Sequence, residues 1–305
     1  MYKEVINMLE SNLLIINDYI DYLKYERKLS INTTSSYYNN LYLFSKYLNN
    51  KDILVINAKD IRDFIYSIDK SSKTKAHYLS VLNSFYNYLI NTDKIKVNPC
   101  NTVKMPKMEQ TLPNYLTTEE IDKLFNIRLI KPLDYRNKAM LELLYATGTR
   151  ISELINLTFS QVDFADCTLR VMGKGKKERL IPISDNALEY LLLYINEYRP
   201  FILKTKTSEY IFINRDGHMI SRQGFFKILK DLCKKAGIKK NISPHTLRHS
   251  FATHLLNNGA DLRVIQELLG HENLTTTEIY SHLQNKKIVD DYTNHPRAMI
   301  EKGIK

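Results

Sequence analysis

Apolar residues recur every three or four positions through the first third of the chain, the spacing of helices that bury one face. Leu13, Ile16, Ile20 and Leu23 give the first stripe, and Tyr37, Leu41, Phe44 and Leu48 mark a second over residues 33 to 48. Asn57, with Asp60 three positions on, predicts a capped entry to a third helix. A fourth opens at Ser72 and carries the stripe Tyr78, Leu82, Phe85 and Leu89. Aromatic and aliphatic residues at this spacing read as core rather than as a surface for stacking bases. Residues 13 to 92 therefore predict about four helices in a compact bundle.

The periodicity stops at residue 94. KIKVNPCNTVKMPKMEQTLPN, to residue 114, holds three prolines, four lysines and one acid, the composition of a linker. Its charge suits either a solvated tether or a segment laid along phosphates. After it the pattern is mixed. TTEEIDKLF predicts a capped helix, DYRNKAMLELLYATG another ending near Gly148, and CTLRVMGKGKKERLIPI an alternating hairpin about a Gly-Lys-Gly turn. Further helices are expected at 184–199, 221–236, 243–257, 261–269 and 275–283, with a short strand at YIFIN. The expected fold is two-domain and mainly α. It comprises a helical domain over 1–95, a basic linker over 96–114, and a mainly helical α+β domain over 115–305 with a small sheet.

Composition narrows the partners. The 305 residues hold 44 Lys+Arg against 33 Asp+Glu, a net charge of +11, which favours a polyanion. Cys100, Cys167 and Cys233 are scattered, with no CxxC pair and no disulfide framework, as in a reducing cytosol. The early apolar run LLII is broken by Asn17 and Asp18, so it is no signal peptide. No uncharged apolar stretch nears the roughly 18 residues of a membrane span. A soluble, cytoplasmic protein is expected.

The candidate chemistry begins at SPHTLRHSFATHLL, residues 243 to 256. Ser243 and Pro244 make a good helix entry. At about 100° per residue His245 and Arg248 share one side of that helix, while Leu247, Phe251 and Leu255 take another. Open N–H groups and a guanidinium at a helix start favour an oxyanion, and a phosphate is the candidate. Three other stretches join it. In ATGTRISELINL, Glu153 lies three residues after Arg150, near enough to orient it; alone, this is an ordinary surface ion pair. In GKGKKERLIPI, Lys174 sits at the hairpin tip, where a solvated turn lysine is the usual reading, and the string fails the phosphate-loop pattern. In LLGHENLTTTEIYSHL, His271 follows Gly270 and Tyr280 lies nine residues further on.

Taken in order, R-I-S-E-L, G-K-G-K-K, H-T-L-R-H, L-G-H and Y-S-H resemble the catalytic set of the tyrosine recombinases, the phage-integrase-like DNA strand-transfer enzymes. The helical first half resembles that family's core-binding domain, and the ending HPRA resembles the Xer subgroup. The resemblance implies that Arg150, Lys174, His245, Arg248 and His271 surround a scissile phosphate and that Tyr280 is the nucleophile, with Glu153 behind Arg150. It implies strand cleavage and rejoining through a 3′-phosphotyrosyl bond, with no cofactor and no metal. The implied partner is a double-stranded DNA recombination site, bound in a clamp between the two domains by a homo- or hetero-tetramer, with the segment after Tyr280 docking on a neighbouring protomer. A paralogous recombinase and a septal DNA translocase are the further partners suggested by the Xer likeness, and chromosome partition at cell division the setting. A mobile-element integrase, a type IB topoisomerase and a DNA-binding protein that has lost catalysis are the alternatives.

Other readings of these residues are weaker. His245 and His249 have the i,i+4 spacing of zinc hydrolases, but Thr246 stands where the motif needs glutamate and no third ligand is evident. His249 and His254 read as structural, with His254 in the core. Tyr292 lacks the L-G-H spacing, and His282 and His295 read as surface or packing residues.

Overall fold

The computed structural model describes residues 2–49, 51–104, 115–172 and 178–270, with side chains from residue 9 onward. The chain divides into two compact units, Met1–Thr111 and Leu112–Lys305. The first is helical: α1 (Tyr2–Asp21), α2 (Ile31–Leu48), α3 (Ala58–Ser67) and α4 (Ser72–Asn91), with a π-helical turn, Tyr22–Glu26, extending α1. Side chains set each entry. Asn57 and Asp60 form the predicted box at α3, and Ser30 and Ser71 cap α2 and α4. Ile16, Leu41, Phe44, Leu82, Phe85 and Leu89 are buried together, so the aromatic stripe of α4 is core. Tyr19 and Tyr86 are buried as well, and they direct their hydroxyls to Ser84 Oγ at 2.8 Å and the Ile53 carbonyl at 3.0 Å. Beyond α4, Asn98 reaches Asn87 at 2.7 Å and Cys100 is buried in the same core.

The second unit is built around α6 (Pro132–Thr147), preceded by α5 (Thr118–Phe125) and followed by α7 (Ile151–Ile155). From Lys138 to Thr147 every residue of α6 is buried, as expected of a helix enclosed by its own domain. The charges this traps are paired: Lys138 meets Glu142 at 2.8 Å, and Arg136 donates to the Ile213 carbonyl at 2.9 Å. The hairpin forms as β2 (Thr168–Met172) and β3 (Glu178–Pro182), and β1 (Val162–Asp163) completes a three-stranded antiparallel sheet in the order β1-β2-β3. Leu169 pairs with Ile181 and Val171 with Arg179. The core-facing register thus includes an arginine. The remaining helices are α8 (Asp185–Leu193), α9 (Arg199–Leu203), α10 (Arg222–Lys235), α11 (Pro244–Asn257) and α12 (Leu262–Leu269).

Two departures from the sequence pattern have physical causes. YIFIN makes only isolated bridges, Thr158 with Tyr210 and Ile213 with Met219. Its carbonyls are taken by side chains instead: Arg199 reaches those of Tyr210 and Ile211, Tyr194 also donates to Ile211, and Arg136 takes that of Ile213. A buried segment so satisfied needs no ladder partner. The helix expected to end at residue 199 runs on to Leu203 through a π turn, Tyr194–Tyr198, in which the Arg199 N–H bonds the Tyr194 carbonyl five residues back. Pro200 then tolerates the renewed first turn because it has no N–H to place.

Gly148 ends α6 in the left-handed region at φ +57°. A Cβ there would lie 2.4 Å from the Phe251 ring and 3.1 Å from Leu269. The turn therefore brings α6 against α11 and α12 at a distance only glycine permits. Gly148→Ala is expected to cost about 2–5 kcal/mol, combining left-handed strain with overpacking. Denaturant unfolding of the second unit measures this, and an unchanged midpoint would contradict the packing described.

Candidate active site

The site grows from the C-terminal end of α12. That helix buries Val264, Ile265, Leu268 and Leu269 and stops at Gly270, whose φ is +65°. A helix end leaves its last carbonyls without intrahelical partners and carries partial negative charge, which cations favour. Three successive carbonyls at this end each receive a guanidinium. Arg179 Nε donates to Leu268 at 2.9 Å, Arg248 donates to Leu269, and Arg150 donates to Gly270 at 3.0 Å. Arg248 also donates to the Gly148 carbonyl at 2.6 Å, at the end of α6. One side chain thus ties two helix ends together.

Glu153 joins two of these arginines. Its carboxylate accepts from Arg150 Nη1 at 3.0 Å and from Arg179 at 3.2 and 2.8 Å, while the Arg150 backbone N–H reaches it at 2.7 Å. The last contact also caps α7, because Arg150 stands just before that helix and Glu153 in its first turn. Burial pushes the Glu153 carboxyl up, but the hydrogen bonds and charge of Arg179 and the contacts from Arg150 outweigh this and hold it below the usual carboxylate range. Glu153 is therefore ionised at neutral pH. Burial, and next the charge of Arg150, pull the Arg248 guanidinium down to about 10, which leaves it cationic there. The cluster holds three guanidiniums and one carboxylate, which two of them share, a surplus of positive charge. Arg150 keeps 38 % of its side chain open to solvent, whereas Arg179 keeps 7 %. An anion approaching the cluster meets Arg150 first.

Of the residues singled out in the sequence, Arg150, Arg248 and Glu153 meet at this helix end. His245 is exposed one turn before Arg248 on α11, and His249 is exposed with its ring edge-on to Tyr115. His254 is buried, with Nδ1 2.7 Å from the Tyr145 hydroxyl. Lys174, His271, Tyr280, His282, Tyr292 and His295 lie outside the described residues, as do the predicted helix at 275–283 and the C-terminal segment. The start of α11 differs from the anion cradle its sequence suggests. Pro244 has no N–H, that of Thr246 is taken by Ser243 Oγ at 3.1 Å, and the Arg248 guanidinium bonds carbonyls at the ends of two other helices. The start of α11 therefore offers fewer open amides than its sequence suggests, and the surplus positive charge lies at the guanidinium cluster instead. Arg179 was not singled out in the sequence. Its signal is its register on β3: it alternates inward with Ile181, where a solvated hairpin residue would point outward. Among the described residues no cluster of three or more His, Cys, Asp or Glu could hold a metal ion, and no helix is long and apolar enough to cross a membrane.

Residues 114–287 match the model of the phage integrase family, and residues 16–93 match that of the phage integrase N-terminal SAM-like domain. Tyrosine recombinase XerD of Oceanobacillus iheyensis is 44 % identical over 93 % of this chain and 98 % of its own length. Tyrosine recombinase XerD of Staphylococcus epidermidis is 40 % identical over 93 % of this chain and 99 % of its own. Among solved structures, the XerH site-specific recombinase bound to its palindromic difH substrate superposes with a TM-score of 0.67 at 22 % identity, covering 88 % of this chain and 81 % of that one. The Tn1549 transposon integrase with a circular intermediate DNA gives 0.69 at 18 %, covering 89 % and 98 %. At these identities the structural likeness speaks for the fold alone.

The buried His254 supplies a pH test. Burial, the largest influence, lowers its pKa from the ordinary 6.5, whereas the unfolded imidazole titrates at that ordinary value. Below it the unfolded chain binds more protons, so stability is full above about pH 6.5 and falls as pH drops toward the folded pKa. Glu153 adds a similar loss only below its ordinary 4.5. Denaturant midpoints of the second unit should fall between about pH 7.5 and pH 5.5, and His254→Gln should flatten that slope. An equal slope in the variant would contradict the assignment.

Proposed function

The chain belongs to the phage integrase family of tyrosine recombinases, and from that premise we propose that it is a site-specific recombinase of the Xer type. It cleaves and rejoins DNA strands through a 3′-phosphotyrosyl intermediate and resolves chromosome dimers. One observation carries the reading: Arg150 and Arg248, from distant parts of the sequence, bond adjacent carbonyls of one helix end. Side by side, they suit the two nonbridging oxygens of a phosphodiester. The near full-length likeness to proteins named XerD supports the Xer assignment over that of a mobile-element integrase.

The chemistry follows from the charge. Attack on a phosphodiester raises negative charge on the nonbridging oxygens, and planar, permanently charged guanidiniums fit them. Arg248 retains donors beyond those given to Gly148 and Leu269. Donors held in place before charge develops contribute about 3 kcal/mol each. Tyr280 Oη attacks phosphorus as its proton passes to His245. The bond to the 5′ oxygen breaks, and Lys174 protonates that oxygen. His271 adds a hydrogen bond to the phosphate. A 5′ hydroxyl of another strand then reverses the step, so the phosphotyrosyl bond conserves the energy of the broken linkage without ATP or a metal. The enzyme works in the cytoplasm on duplex DNA as a homo- or hetero-tetramer. A paralogous recombinase and a septal DNA translocase are its proposed partners, and the net charge of +11 favours the duplex.

The test is capture of nicked duplexes tiling the chromosome of its source by wild type and by Tyr280→Phe. Wild type should yield a denaturant-resistant adduct at a defined chromosomal locus, and the variant should bind the same duplexes and yield none. An adduct with the variant, or none with wild type, would refute the nucleophile. Capture confined to the ends of a mobile element would replace the chromosomal role.

A further inference from the structure

The described residues hold a third guanidinium at this helix end that the recombination mechanism above does not use. Arg179 is almost fully buried, yet its three donor nitrogens are all directed at the site: Nε at the Leu268 carbonyl, Nη1 and Nη2 at the two oxygens of Glu153. Glu153 in turn holds both the backbone and the side chain of Arg150. Arg150 closes the ring on Gly270, two residues beyond the carbonyl that Arg179 takes. The fit is close: a Cβ on Gly270 would lie 3.1 Å from Arg179 Nη1 and 3.3 Å from its Cζ. The guanidinium therefore lies against the bare backbone from which the chain passes to His271.

A buried cation at an inward position of β3 costs stability unless it is fully bonded, and an aliphatic residue would serve the core there, as Ile181 does at the next inward position. What an aliphatic residue could not do is fix the carboxylate that fixes Arg150. We propose that Arg179 is a positioning residue for strand cleavage: through Glu153 it sets the guanidinium of Arg150 against the scissile phosphate. The proposal rests on reading Arg150 as a phosphate ligand and Tyr280 as the nucleophile. Because Arg150 is the most exposed of the three arginines, its orientation is the one that solvent would otherwise leave loose.

Lysine at 179 keeps the charge but loses the fork that engages both oxygens of Glu153. The test uses the full-length protein and a nicked duplex selected from a random-sequence pool by denaturant-resistant retention on wild type. Single-turnover adduct formation from the preformed complex, duplex affinity and the unfolding midpoint are measured for wild type, Arg179→Lys, Glu153→Gln and the double variant. Arg179→Lys should slow adduct formation by about ten- to a hundredfold, the scale of a misplaced reacting group, with affinity within about twofold. In the Glu153→Gln background the same change should cost less than about threefold, because coupled residues are not additive. A wild-type rate for Arg179→Lys, an equal loss in both backgrounds, or a loss matched by weaker binding or an unfolded fraction would overturn the proposal. Wild type forming no adduct at all would instead refute the reading of Tyr280, so the two failures are distinct.

Discussion

Three guanidiniums ending on three consecutive carbonyls, those of Leu268, Leu269 and Gly270, are the interaction on which the second unit's site depends. The end of any helix exposes unpaired acceptors and partial negative charge. Here those acceptors gather residues from the start of α7, from β3 and from α11, which are remote in sequence. Arg248 adds the end of α6 to the same junction through Gly148. The hydrophobic core brings these elements near one another, but apolar contact is indifferent to direction. The carbonyls supply the direction, and with it the alignment of Arg150 beside Arg248.

Stability alone would not select this arrangement. Like charges have been packed together, Arg248 and Arg179 are nearly buried, and Glu153 is the only carboxylate the described contacts place among them. The field left unbalanced is what an anion with two oxygens in reach would neutralise. A domain built for stability alone would have filled the position of Arg179 with an aliphatic side chain. The cluster is therefore a set of donors whose positions are fixed by the fold itself. Carbonyls hold the guanidiniums in place, so under the proposed function little reorganisation would remain when charge develops on a phosphate.

Much of this was legible in the sequence. The capping residues Asn57 and Asp60 placed a helix start, and the aromatic stripe of α4 announced a core. Gly148 marked the end of α6, and R-I-S-E-L and H-T-L-R-H named Arg150, Glu153 and Arg248. What the sequence hid was carried by the backbone. The acceptors at the end of α12 are main-chain atoms common to every helix, so nothing in the letters shows that three arginines converge on them. Arg179 was obscured for a related reason: beside the lysines of GKGKKER it looks like one more solvated charge, and only its strand register turns it inward. YIFIN misled in the opposite sense, because side chains of Arg199 and Tyr194 satisfied a backbone that by pattern belonged in a sheet.

Hydrogen exchange of the full-length protein, without DNA, tests most directly whether guanidiniums hold the end of α12. Arg248→Lys removes the fork that joins Leu269 to Gly148 and keeps the charge. The amides of residues 262–270 should then exchange faster, by about tenfold or more, with α1 to α4 unchanged. Unaltered exchange over α12 in the variant would mean that packing alone holds the helix end, and that the arginines settle on its carbonyls without organising it.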